Sequence, residues 1–160
     1  MLNSSLKTGL SFGLTSGIIT TLGLLVGLTA GTSSRLAVLG GILTIAIADA
    51  FSDALGIHIS EESEGAHTPR EIWQSTFATF FAKFFLALTF AVPVLLLDLN
   101  IAALVAVVWG FLVLAVTNFL IARAEKIAPW KVIGAHLLIA AVVVTTTYFL
   151  GRQVAILFAA

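Results

Sequence analysis

The sequence predicts an all-α, polytopic membrane protein, a bundle of five transmembrane helices. Three observations predict it. The 160 residues are 59% hydrophobic and only 10% charged. A water-soluble domain of this size covers itself with a surface roughly a quarter to a third charged, which this chain cannot do. Five apolar runs reach the length of about 20 residues that a helix needs to cross the hydrocarbon core of a bilayer. The connections between them are short, so residues 1–160 read as one transmembrane domain in contact with the lipid bilayer, with no room for a soluble one.

The first helix is predicted over residues 9–30. Lys7 precedes an uncharged run from Thr8 to Ser34, too long for the core of a cleavable signal peptide, so the run reads as a retained span. Gly9, Gly13 and Gly17 are spaced four apart, and so are Gly23, Gly27 and Gly31. Small residues at this spacing make a flat stripe that another helix can approach closely. The stripe admits two readings, packing against helices of the same chain or a seam between two subunits.

The second helix is predicted over 36–58, interrupted by Asp49 and Asp53. The third is predicted over 75–97, with Lys83 inside it and Pro93 near its end. The fourth, over 100–122, and the fifth, over 132–151, carry no charge. The longest connection, 59–74, is predicted to be an acidic loop. Lys7, Arg70, Arg123, Lys126 and Lys131 fall on the N-terminal side of such a bundle, and Arg35 and Arg152 on the other. The excess of basic residues predicts a cytoplasmic N-terminus and acidic loop, and an outside C-terminus.

Composition narrows the chemistry. Lys plus Arg equals Asp plus Glu at 8 each, which gives no signal for nucleic acid. There are no cysteines, so disulfides, thiolate metal sites and thiol catalysis are excluded. Met1 is the single methionine, so thioether ligands are essentially absent. No Ser–His–Asp order, metalloprotease helix motif or phosphate loop is present, and the chain is not expected to be an enzyme.

The informative charges are those inside the spans. A charged side chain at the centre of a span costs about 2.5–3.5 kcal/mol even on lenient insertion scales, so such residues face a bundle interior or a wet cavity and take partners. Asp49 and Asp53 are one turn apart and share a helix face, with Ser52 at its edge. Two carboxylates that close repel, and either a cation or a proton between them relieves the repulsion. Lys83 is predicted at nearly the depth of Asp49 on the neighbouring antiparallel helix. A Lys83–Asp49 ion pair is therefore expected, either as a structural pair or as a coupling element that competes with a transported ion. In the acidic segment, Glu61, Glu62, Glu64 and His67 offer oxygen and imidazole ligands suited to recruiting a divalent metal. The plainer reading of that segment is a solvated charged loop. His58, His136, Asn118 and the run from Thr145 to Tyr148 read as interfacial or interhelical polar groups.

Over nearly its whole length the chain resembles the vacuolar iron transporter family. "GLTSGIITTLGLLVGLTAG" is similar to the family's first helix. "ADAFSDALGIHISEESE" is similar to its second, with Ser52, Asp53, Leu55-Gly56 and Ser63-Glu64 at the matching positions. Pro93 falls where the family's third helix carries prolines, and "LLIAAVVVTTTYFLGR" resembles its last helix, with Tyr148, Gly151 and Arg152. The resemblance implies a homodimer that exports ferrous iron or manganese from the cytosol in exchange for protons, with the metal path between the first and second helices of the two subunits. Two departures stand out. The family's first-helix aspartate is Ser16 here, and its second-helix methionine ligand is Asp53. Asp49 adds a carboxylate where the family commonly has a small residue, Lys83 has no family counterpart, and the family's cytoplasmic metal-binding helices are cut to a short loop. Replacing sulfur by oxygen shifts preference toward harder ions.

The expected function is therefore transport of a divalent metal, Fe2+ or Mn2+, out of the cytosol across the plasma membrane of a prokaryote. No cofactor is expected. Asp49, Asp53, Ser52 and Ser16 form the expected metal path, and Lys83 the coupling group. The rival expectations are transport of another ion or small solute, and a non-transporting membrane protein with a structural Asp–Lys pair.

Overall fold

The computed structural model describes residues 4–158, which form five helices and no strand. They are α1 (Ser4–Thr32), α2 (Arg35–Glu64), α3 (Pro69–Leu96), α4 (Leu99–Ala124) and α5 (Pro129–Phe158). Each is long and apolar enough to cross a membrane, so this is an integral, multi-pass membrane protein. Inside a bilayer every backbone polar group must be satisfied within the protein, and continuous helices do this without help from water.

The helices run longer than the hydropathy pattern predicts, most of all around the acidic segment. The expected loop 59–74 is not a loop. α2 continues to Glu64 and α3 starts at Pro69, which leaves a turn over 65–68. Local chemistry sets both limits. Gly65 takes the left-handed conformation (φ 64°) and donates its N–H to Glu62 O, which ends α2. Thr68 caps α3, its side chain accepting from Glu71 N–H while the Glu71 carboxylate accepts from Thr68 N–H, with Pro69 at the first helical position. α2 and α3 run unbroken through Asp49, Asp53 and Lys83. Pro93 lies inside α3 near its end, where Leu97 N–H still reaches Pro93 O.

α1 is the hub and packs against the other four helices. Its glycines explain how. A Cβ on Gly9 would lie 2.3 Å from the Ser75 carbonyl oxygen, and one on Gly13 would lie 2.7 Å from that of Thr79. Gly17 abuts Lys83. These three glycines let α3 lie directly on the α1 backbone. On the other half of α1, Gly23, Gly27 and Gly31 face Val143, Thr147 and Gly151 of α5. Of the two readings of the stripe, packing within the chain is the one realised, and a subunit seam made of these glycines is not free to form.

The core is the apolar interior between these helices, with Ile18, Leu22 and Leu25 of α1, Ile42 of α2, Phe90 of α3 and Leu114 of α4 fully buried. α5 buries only Ala140 and Gly151. Large apolar side chains such as Leu36, Phe51, Phe85, Leu104 and Phe149 cover the outside, as a surface solvated by lipid requires.

Candidate functional site

The polar residues of α1, α2 and α3 converge midway along the bundle. On α1, Ser16 and Thr20 are one turn apart. On the antiparallel α2, Asp53 and Asp49 are one turn apart at the same two levels. Ser16 Oγ donates to Asp53 Oδ2 at 2.7 Å, and Thr20 Oγ1 donates to Asp49 Oδ2 at 2.9 Å. The period of α1 thus matches that of α2, hydroxyl to carboxylate.

Lys83 of α3 closes the cluster. Its Nζ lies 2.6 Å from Asp49 Oδ2, pairs with Asp53 Oδ2 as well, and donates to Ser16 Oγ at 3.0 Å. The three donors of the ammonium are thereby used on three oxygens. Gly17 makes room for it, because a side chain there would press on the Lys83 stem at 3.0 Å. Only 2% of the Lys83 side chain is exposed, against 25% for Asp49 and 21% for Asp53. The ammonium is sealed and the carboxylates form the accessible side. The cluster sets two carboxyl groups against one amine in a setting where unpaired charge is expensive.

The expected Lys83–Asp49 pair is present, and Lys83 bridges to Asp53 too. Because α2 extends to Glu64, both aspartates lie deeper than predicted, Asp49 near the helix midpoint. Ser16 belongs to the cluster. Ser52 does not. One residue before Asp53 it is turned about 100° away, toward a cleft of roughly 660 Å³ between α2 and α3 that Phe51, Trp73, Phe77 and Phe81 also line. Thr20 was not anticipated. Its signal was the four-residue offset from Ser16, matching that between the aspartates.

The acidic segment does not assemble as a metal site. Glu61 is buried and accepts from Ser75 Oγ at 2.6 Å. Glu62 and Glu64 are exposed. His67 lies 3.5 Å from the Glu64 carboxylate and 3.3 Å from Ser5 Oγ. No group of three or more His, Asp or Glu side chains placed to hold a metal occurs among the described residues. The segment fails as a metal cluster because helical continuation puts Glu61 inward and Glu62 and Glu64 outward. His58 lies 2.9 Å from Thr76 Oγ1 and edge-on to Trp73, and His136 lies 2.5 Å from Asn118 Oδ1. Both are interhelical contacts.

What the central cluster can do follows from its donors. It offers carboxylate and hydroxyl oxygens only, which suit hard divalent ions, and its cation is tethered rather than free. No protein-family model matches this sequence, and no curated protein matches it.

Proposed function

We propose that the chain is a divalent-cation transporter, moving Fe2+ or Mn2+ out of the cytosol in exchange for protons across a prokaryotic plasma membrane. The observation that carries this reading is the Lys83 ammonium held by Asp49 and Asp53 together. A tethered cation occupies the place a transported cation would take. Metal arrival displaces the ammonium from the carboxylates. Departure of the metal lets it return, so the site never stands as two bare carboxylates in a dry bundle.

The resemblance to vacuolar iron transporters supports the same reading by position: Ser16 and Asp53, which touch at 2.7 Å, stand where the family carries an aspartate and a methionine ligand. A homodimer belongs to the proposal. Its seam would use α2, whose outward face carries Leu36, Leu43 and Ile47, and Gly40 with open space around it. The N-terminus would face the cytosol.

The test is Mn2+ flux in proteoliposomes under a proton gradient. The parent should carry Mn2+, and Asp49→Asn combined with Asp53→Asn should abolish the flux. Parental rates in that double variant would falsify the site assignment.

A second reading is favoured by the completeness of the network. Lys83 uses all its donors within the chain, as a structural ion cluster in a non-transporting protein would. In that case no cation should move in any variant, and removing all three charges together should leave the fold as stable as the parent.

A further inference from the structure

A second polar site lies at the opposite end of the bundle from the α2–α3 turn. A cavity of about 310 Å³ opens between α1, α4 and α5, lined by Thr29, Ser33, Asn100, Tyr148 and Arg152 over an apolar floor. Glycine packing creates it. A Cβ on Gly151 would lie 2.3 Å from the Gly27 carbonyl oxygen and 3.0 Å from Gly31 N, so α5 touches α1 backbone to backbone here. Tyr148 and Arg152, one turn apart on α5, are thereby brought to the end of α1. Ser33, with φ 48°, turns the chain at the rim of the same cavity.

Every side-chain polar group lining it can donate. Arg152 brings a guanidinium fork, Asn100 an amide, and Tyr148, Ser33 and Thr29 hydroxyls. No carboxylate lines the cavity. Arg152 enters no ion pair or hydrogen bond among the described residues. Exposed groups can be satisfied by solvent, but Thr29 is different. Its Oγ1 is buried and has no hydrogen-bond partner among the described residues. A native structure carries few such orphans. Asn100 stands in the first turn of α4, with Asp98 at the N-cap making no side-chain capping bond.

We propose that this cavity binds an oxyanion of the phosphate class, either inorganic phosphate or the phosphodiester of a membrane lipid. Arg152 supplies the charge and a two-pronged hydrogen bond, and Tyr148, Ser33 and Asn100 donate to the remaining oxygen lone pairs. The site is independent of the central cluster and does not rest on metal transport.

The whole chain, purified and delipidated in non-ionic detergent, is titrated with inorganic phosphate by calorimetry, with chloride as the ionic-strength control. In parallel, phosphatidylglycerol and phosphatidylcholine are titrated and bound copies counted by native mass spectrometry. One saturable site is expected. Phosphate binding identifies a free anion as the ligand, and phosphatidylglycerol binding without phosphate binding identifies the lipid. Arg152→Gln should weaken whichever probe binds by about tenfold or more, and Tyr148→Phe by about threefold. Lys131→Gln, which removes a charge at the other end, should change nothing. Should Arg152→Gln not fold, Tyr148→Phe and Ser33→Ala carry the test, each with a loss of about threefold. The proposal is overturned if neither probe binds the parent at one site. Equal binding by parent and cavity variants overturns it too, as does an equal loss in Lys131→Gln.

Discussion

Lys83 Nζ lies 2.6 Å from Asp49 Oδ2 in the middle of the bundle, so the cation of this acidic cluster is part of the chain. Removing it should expose what the carboxylates can hold. Lys83→Met leaves Asp49 and Asp53 without a counter-ion, and breaking a buried pair from one side costs about 3–5 kcal/mol. Thermal unfolding of metal-free Lys83→Met in detergent should show that loss. Mn2+ at one hundred times its dissociation constant should then return about 2.7 kcal/mol, and stabilise the parent much less. If Mn2+ raises the unfolding temperature of both proteins equally, the carboxylates are not the binding site.

The glycines of α1 make a second, purely mechanical prediction. Gly9 has the Ser75 carbonyl oxygen 2.3 Å from where its Cβ would be, whereas Gly40 on α2 has nothing within 4 Å. Gly9→Ala must push α3 off α1 and should destabilise by about 1–3 kcal/mol, as overpacking does. Gly40→Ala gains helix propensity and should stabilise by up to about 1 kcal/mol. Thermal unfolding of the two single variants checks the pair. Equal effects would mean that α1 and α3 are not in backbone contact at Gly9.

The five spans were legible because lipid-facing and core-facing residues are both apolar, so hydropathy alone marks them. Their ends were not, because hydropathy says nothing about capping. Gly65 and the Thr68-to-Glu71 capping box carried that information, and they turn an expected sixteen-residue loop into a four-residue turn. The acidic pair and Lys83 were legible as a cluster because charge within a span demands partners. Thr20 was missed since a threonine in a membrane helix can satisfy itself on its own backbone; Thr20 Oγ1 shares its one proton between Ser16 O and Asp49 Oδ2, each at 2.9 Å. Ser52 was misplaced because an edge position on a helix can fall to either side, and here it falls toward the α2–α3 cleft. The glycine stripe could not declare its partner, since a flat helix face is the same whether its neighbour belongs to the same chain or another.

Asn118 and His136 tie α4 to α5, which otherwise buries little. Asn118 is buried, its amide donating to Leu114 O at 2.8 Å and its Oδ1 lying 2.5 Å from His136 Nδ1. Interhelical hydrogen bonds of this kind contribute about 0.6–2 kcal/mol in membranes. His136→Leu should cost that amount in thermal unfolding, and adding Asn118→Leu to it should recover part, because the orphaned amide oxygen goes too. A double-variant cost equal to the sum of the singles would show that the two side chains are not coupled.

Ser16 offers the sharpest test of the transporter reading. Its Oγ lies 2.7 Å from Asp53 Oδ2 and 3.0 Å from Lys83 Nζ, at the position where vacuolar iron transporters are expected to carry an aspartate. Ser16→Asp alone adds a third carboxylate beside a cation that two already share. That variant should fold, with the ammonium drawing three anions. Combining it with Lys83→Met removes the resident cation and leaves three carboxylates around one space. Hard divalent ions gain affinity with ligand charge. Mn2+ should therefore bind the double variant at least about tenfold tighter than Lys83→Met alone, a difference of about 1.4 kcal/mol. Calorimetry on the purified proteins reads it directly. An affinity no higher than that of Lys83→Met would mean that the α1 position does not face the ion, and the likeness to the family's metal path would fail at the residue that defines it.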